Sequence, residues 1–233
     1  MSFKKALAVF IILASMSCLS AYGGLFGWKG TYGTMFHVTL GSQTVDLSTL
    51  NDDITFNFEA SYPEGFLALG AQYFYLSNDL MLGLEGKFLN NGTHKSGEFS
   101  FQTSGQAGFL DLGYVLFTNR FTIIAPWIGL GMGSITYSMA KENTWAQAVD
   151  QTLPYTFSAS KTAVMMNWGL CFDFVYTTWS LGLSAGYMHP IANGEWQLAG
   201  EVFEDGPDTY LSGAYLNFNF GYTQLNLWSS MVN

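Results

Sequence analysis

Apolar residues recur at every second position through several long segments of this chain. Residues 80–88 alternate between a leucine-rich apolar set and an intervening set that includes Glu85 and Lys87. Residues 166–176 repeat the pattern, with Asn167 and Asp173 between large apolar residues. Successive side chains of a β-strand point to opposite faces, so this period of two predicts strands with one apolar face and one polar face.

The alternating segments predict an all-β fold of eight antiparallel strands. These lie near residues 28–40, 65–76, 80–90, 104–118, 121–137, 162–177, 179–189 and 209–222. The connections alternate between short ones, at 77–79, 119–120 and 177–178, and long ones, at 41–64, 91–103, 138–161 and 190–208. Such asymmetry is typical of barrels in the bacterial outer membrane. We therefore expect a transmembrane β-barrel with short periplasmic turns and long extracellular loops.

Two further segments leave the strand count open between eight and ten. Residues 54–58 and 99–101 also alternate, with aromatic residues two positions apart. We interpret both as strand extensions above the membrane. A ten-stranded barrel would place the tight turn at 62–65 on the wrong side.

The N-terminal residues have the pattern of a secretory signal. Lys4 and Lys5 form a positive start, and residues 6–16 are apolar over a length too short for a membrane anchor. Lipidation at Cys18 is disfavoured, because Ser15 stands where a lipobox has leucine. We expect a signal peptide at 1–23, with its exact cleavage site open, and an exported barrel domain at 24–233.

The charge content excludes several classes of protein. Charged residues make up 11% of the chain, far below the roughly 25% of ordinary soluble domains, while hydrophobic residues stand at 49%. Loss of Lys4 and Lys5 from 8 basic residues would leave 6 against 17 acidic ones, a net charge of −11. This balance argues against nucleic acid as a partner, since its phosphates attract Lys and Arg.

The polar strand faces should line the barrel interior and supply the candidate functional residues. A candidate luminal constriction is formed by the charged members of that face, Glu85, Lys87, Asp111 and Asp173. The rest of the lumen lining comprises Asn167, Ser184, Asn217 and Asn219. An eight-stranded barrel admits only side chains or one small ligand, so we expect Lys87 to pair with one of the three carboxylates. A hydrogen-bonded plug and a cation-preferring constriction both remain open.

The predicted outer loops are acidic and contain large aromatic residues. Their carboxylates belong to Asp46, Asp52, Asp53, Glu59, Glu64, Glu195, Glu201, Glu204, Asp205 and Asp208. We expect a solvated negative rim, since no spacing matches a calcium-binding loop. The candidate extracellular contacts are aromatic residues expected to be exposed, Trp145, Tyr155 and Trp196. They would fold the loops together, line an apolar entry, or contact a host or lipid surface.

No motif indicates catalysis, a metal site or a cofactor. The three histidines, His37, His94 and His189, lack serine or acidic partners at informative spacing. The glycine-rich segment 129–133 precedes no predicted helix, which argues against a phosphate-binding loop. We therefore expect a protein that is not an enzyme and binds no cofactor.

The same glycine-rich segment lies in a longer motif that resembles a known family. Residues 126–137, PWIGLGMGSITY, resemble the strand with proline, an aromatic residue and three alternating glycines that is typical of outer-membrane proteins of the OmpW and opacity-protein type. The residues Gly213, Leu216, Phe218, Phe220 and Tyr222 look like the last-strand signal for barrel assembly, although the chain continues to Asn233.

This resemblance implies a compartment and a set of partners. It implies a bacterial outer-membrane barrel that contacts outer-membrane lipid and is inserted by the barrel assembly machinery. The OmpW-like likeness implies a narrow channel for small or apolar solutes. The alternative is a surface-exposed adhesin or structural anchor with a plugged barrel, whose partner would be a host surface ligand.

Overall fold

The computed structural model describes residues 31–51, 62–119, 121–141, 156–192, 194–198, 201–203 and 206–227. The predicted signal peptide and the alternating segment 54–58 lie outside the described residues, as do Trp145 and Tyr155. No helix within these ranges is long and apolar enough to cross a membrane.

Across the described ranges, eight long antiparallel strands close into a barrel. They are β1 (Thr31–Thr44), β2 (Gly65–Ser77), β3 (Leu80–Ser96), β4 (Phe99–Tyr114), β5 (Thr122–Lys141), β6 (Thr156–Tyr176), β7 (Trp179–Ala192) and β8 (Gly213–Leu227). Each strand pairs with its neighbours in the chain, and β1 pairs with β8 to close the ring. The predicted all-β barrel is therefore confirmed.

Strand register fixes how far the strands tilt. A row of paired residues starts at Phe172 on β6 and returns to β6 at Thr162, passing through Leu183, Phe218, Leu40, Leu69, Phe88, Gln106 and Ser134. The row is displaced by ten residues (172 − 162) in one circuit. For this strand number, that displacement corresponds to a tilt of about 40° and a lumen only wide enough for side chains.

One end of the barrel, here called the turn end, has tight connections. Asn78–Asp79 joins β2 to β3, and both residues have positive φ, as a type I′ hairpin turn requires. The Asp79 carboxylate accepts a hydrogen bond from the Thr31 backbone N–H at 2.8 Å. The Asp79 carbonyl accepts another from Val115, also at 2.8 Å, so this turn fastens the ends of β1 and β4.

The opposite end, here called the loop end, differs most from the prediction in one connection. Residues 91–103, predicted as a long loop, instead continue β3 and β4 to a two-residue turn at Gly97–Glu98. Pairing shifts at a bulge between Asn90 and Thr93 and then resumes as far as Ser96. The polar sequence concealed these strands, because backbone pairing beyond the apolar band does not need apolar side chains. The interpretation of 99–101 as a strand extension is confirmed.

Side chains alternate between the outside and the inside of the barrel. Outward apolar residues are exposed on every barrel strand, and aromatic ones collect near the turn end, including Tyr73, Tyr75, Phe121, Phe174, Tyr176 and Trp179. Within the described barrel strands, the charged side chains that are not buried belong to Lys95 and Lys141, both close to the loop end. The exterior is therefore an uncharged apolar band.

The turn between β6 and β7 carries local backbone strain. Thr177 has φ 56°, and a β-branched residue in this left-handed region costs about 1–2 kcal/mol. We expect Thr177→Gly to raise the free energy of unfolding by about 1 kcal/mol, measured by urea unfolding in lipid vesicles. Thr178→Gly is the matched control, because Thr178 lies outside that region. Equal destabilisation by both changes would contradict the strain.

Candidate functional site: the barrel interior

The barrel interior is divided into three layers. The floor, at the turn end, is mainly apolar and contains the buried residues Met35, Leu76, Met81, Ile123 and Val175. The roof, at the loop end, is also apolar and contains Leu47, Phe66, Leu89, Phe101, Ile135, Met165, Met188 and Leu211. The polar layer between them holds every predicted luminal residue, Glu85, Lys87, Asp111, Asn167, Asp173, Ser184, Asn217 and Asn219, and all are buried.

The one lysine in the polar layer of the described barrel, Lys87, lies beside Glu85 and Tyr215. Lys87 Nζ lies 2.7 Å from Glu85 Oε1, with both side chains 2% exposed. The Asn167 amide donates to Glu85 Oε2 at 2.8 Å, and the Tyr215 hydroxyl donates to Asn167 Oδ1 at 2.9 Å. The ammonium also lies 3.8 Å from the centre of the Tyr215 ring. Of the three carboxylates proposed for Lys87, the structure pairs it with Glu85.

A second polar group lies closer to the turn end, around Asp173. Asn219 donates to Asp173 Oδ1 at 3.5 Å, and Ser184 donates to Asn219 Oδ1 at 3.1 Å. His37 Nε2 lies 3.9 Å from Asp173 Oδ1 and 3.0 Å from Ser180 Oγ. The structure therefore gives His37 the serine and acidic neighbours that its sequence spacing did not show.

The arrangement around His37 lacks the order of a catalytic triad. A triad uses one ring nitrogen for serine and the other for the carboxylate, whereas Ser180 and Asp173 both approach Nε2 here. All three side chains are 0–1% exposed, so a substrate would have no contact with them. Within the described ranges, no group of three His, Cys, Asp or Glu side chains has the arrangement of a metal site.

Two luminal carboxylates lie directly against glycines of a neighbouring strand. A Cβ at Gly129 would overlap the Asp111 carboxylate, and a Cβ at Gly182 would overlap that of Asp173. Gly129 on β5 and Gly182 on β7 thus each make room for a buried carboxylate. Among the described protein atoms, neither Asp111 oxygen has a hydrogen-bond donor.

Sequence reasoning missed several interior residues. His37, Gln72 and Tyr215 are buried in the polar layer, and alternation along their strands would have placed them there. Lys161 is also buried. The sequence places it in the predicted loop 138–161, whereas the structure starts β6 at Thr156, so that Lys161 lies on the strand. The early start of β6 carries no sequence signal, since residues 156–161 are small or polar apart from Phe157.

Trp196 was expected to be exposed, and this expectation is wrong. Its ring is 4% exposed, lies 5.1 Å from the Tyr137 ring, and donates from Nε1 to the Pro207 carbonyl at 2.7 Å. Residues 196–198 pair with β6, which draws the ring into the roof. Tyr62, whose ring lies beside that of Tyr137, is also buried, and this burial raises the pKa of its hydroxyl to about 12. The described rim acids, Asp46, Glu64, Glu195, Glu201 and Asp208, are exposed.

Comparison with known proteins shows similarity in structure but not in sequence. No family model matches the chain, and no curated protein matches it significantly. Similar solved structures include Ail, the attachment invasion locus protein of Yersinia pestis, at 12% identity over 84% of this chain and 99% of that one, TM-score 0.47. A major outer membrane protein from Thermus thermophilus is 12% identical over 82% of this chain and 99% of that one, TM-score 0.49.

A third similar structure is Neisserial surface protein A, at 11% identity over 84% of this chain and 98% of that one, with a TM-score of 0.41. These are likenesses of fold. The resemblance to OmpW-like proteins stays a prediction.

The buried ion pair gives a first stability test. We expect Lys87→Met to lower the free energy of unfolding by about 3 kcal/mol or more, because the Glu85 carboxylate stays buried without its partner. Adding Glu85→Gln should recover most of that loss. The control is Lys141→Met, whose pair with Glu98 is 36% and 63% exposed and should cost less than about 1 kcal/mol. Urea unfolding measures all three; equal losses for Lys87 and Lys141 would contradict the network.

The glycine contact at Asp111 gives a second test. We expect Gly129→Ala to destabilise the barrel by about 2 kcal/mol, because its Cβ would displace the Asp111 carboxylate. Gly86→Ala is the matched control, since a Cβ there meets nothing within 4 Å. Urea unfolding of the two variants should therefore differ, and a tolerated Gly129→Ala would show that Asp111 lies elsewhere.

Proposed function

We propose that this chain is a non-enzymatic bacterial outer-membrane barrel with a closed interior, which anchors its loop end at the cell surface for contact with a partner. The observation that carries the proposal is the filled lumen. Apolar floor and roof layers enclose a buried polar layer, in which Lys87 lies against Glu85, and Glu85, Asn167 and Tyr215 are linked by hydrogen bonds. Such an interior stabilises the barrel and leaves the loop end as the surface open to partners.

The exterior supports a membrane location. On β1 the exposed apolar side chains run from Tyr32 to Leu40, close to the roughly 9–11 residues that a tilted strand needs to cross a bilayer. The aromatic residues near the turn end match the girdle expected at the periplasmic interface. A closed barrel leaves no sheet edge with unpaired backbone groups in lipid, whereas an open sheet would expose such an edge. The turn end then faces the periplasm.

The loop end supports a partner that is neutral or cationic. Its described carboxylates, Asp46, Glu64, Glu195, Glu201 and Asp208, are exposed. Hydrogen bonds from the Ser48 hydroxyl and backbone lower the pKa of Asp46, which keeps that carboxylate ionised in mildly acidic surroundings. The rim would therefore repel an anionic ligand, and a ligand on a host surface would have to be neutral or cationic.

A narrow channel for small or apolar solutes is the second candidate. The favouring observation is Asp111, whose two oxygens face the lumen without a donor among the described protein groups. Together with Glu85 and Asp173, it gives the polar layer of the described barrel three carboxylates against the one ammonium of Lys87. A hydrated path through the polar layer would then prefer cations.

Single-channel conductance in a planar bilayer separates the two candidates. We expect the refolded protein to be silent, because the floor and the roof block ions on both sides of the polar layer. Lys87→Ala, made alongside, should remain silent for the same reason. Heat-modifiable mobility on a gel confirms folding of each sample.

Discrete openings in the folded wild type would contradict the closed barrel. If their size or ion preference also changed in Lys87→Ala, the charged constriction would be established instead. Surface display is checked on intact cells, where a membrane-impermeant amine reagent should label Lys95 and Lys141, which lie near the loop end and are not buried, but not the buried Lys87.

A further inference from the structure

An irregular segment covers the loop end of the interior. Residues 206–212 lie in the chain between the short paired strands, Trp196–Leu198 and Glu201–Phe203, and β8. Leu211 is 2% exposed and its side chain lies against Gly105 and Gly133, where a Cβ at Gly105 would overlap it. Leu211 therefore fills the lumen at the roof, and we call residues 206–212 the closing segment.

The closing segment lies outside the strand pairing and is held by individual hydrogen bonds. Gln43 donates to the Leu211 carbonyl at 3.4 Å, the Asp46 N–H donates to the Ser212 carbonyl at 3.3 Å, and Trp196 Nε1 donates to the Pro207 carbonyl at 2.7 Å. The first two distances are long for hydrogen bonds, and the third is short. Strand pairing does not begin until Gly213. A segment without strand pairing opens at a lower free-energy cost than the paired strands around it.

One buried ammonium holds the segment from the barrel wall. Lys161 on β6 is 5% exposed, and its Nζ lies 3.8 Å from the centre of the Tyr210 ring and 5.7 Å from that of Trp196. It also lies 3.3 Å from Asp208 Oδ1, but that side chain is 76% exposed, so solvent screens the ion pair. The desolvated contact with the rings is therefore the stronger of the two.

We propose that the Lys161 ammonium is a latch: seated on Tyr210 beside Trp196, it keeps the closing segment in the lumen, and its release opens the interior from the loop end down to the polar layer. The pocket formed by Tyr210, Trp196 and Asp208 is thus a site for an alkylammonium group that the chain fills with its own lysine. This inference goes beyond the proposed function, because a barrel closed to ions at its floor still gains an entry from outside.

The test measures access to a cysteine under the roof. Ala107 faces inward next to Gly133, the glycine that Leu211 contacts. Ala107→Cys is introduced into a chain whose two cysteines, Cys18 and Cys171, are replaced by alanine. A polar methanethiosulfonate reagent is added to folded protein in vesicles. We expect Lys161→Ala to raise the labelling rate by about tenfold or more.

Chemical rescue separates the latch from simple loss of packing. Butylammonium ion should restore slow labelling in Lys161→Ala, whereas butanol, of similar size but uncharged, should not. Lys141→Ala, which removes an exposed ammonium, should leave the rate unchanged. Tyr210→Leu provides a second variant should Lys161→Ala fail to fold, and it should also speed labelling.

Three results would overturn the proposal. The first is an unchanged labelling rate in folded Lys161→Ala or, if that variant fails to fold, in folded Tyr210→Leu. The second is an equal increase of the labelling rate in Lys141→Ala. The third is equal rescue by butanol and by butylammonium. Heat-modifiable gel mobility verifies folding in every case, so the labelling rates decide the question.

Discussion

Closure of the sheet with a ten-residue displacement is the constraint on which the rest of the structure depends. Closure pairs the edge strands β1 and β8, and the displacement sets the strand tilt and hence the width of the lumen. Side chains alone fill a lumen of this width. The only groups available to pair with an interior polar side chain are therefore other interior groups. The apolar side chains outside require surroundings less polar than water.

Electrostatics inside the barrel follow from that width. Lys87 lies close enough to Glu85 for a buried ion pair, while Asn167 donates to the other Glu85 oxygen and Tyr215 donates to Asn167. A buried pair of this kind offsets a large desolvation cost, so it specifies one packing of the interior more than it adds stability. Gly129 on β5 also specifies this packing, because it leaves the space that the Asp111 carboxylate occupies.

Period-two alternation predicted the inward side of Glu85, Lys87, Asp111 and Asp173, and together with the alternating short and long connections it predicted the barrel. It failed where strands pass beyond the apolar band: β3 and β4 extend through residues 91–103, and β6 starts early enough to include Lys161. Beyond the apolar band the outward side chains need not be apolar. The alternation in the sequence is therefore lost there, although the backbone pairing between strands continues. The contacts of His37 and the burial of Trp196 depend on packing across the barrel, which spacing along one strand does not encode.

The central claim is that the interior is packed shut between its floor and its roof, and water is the smallest probe of that claim. Stopped-flow light scattering of proteoliposomes under an osmotic gradient measures water permeability directly. The account predicts a permeability equal to that of protein-free liposomes of the same lipid. A permeability that rises with the amount of folded protein would contradict it and would require a continuous hydrated path past Lys87.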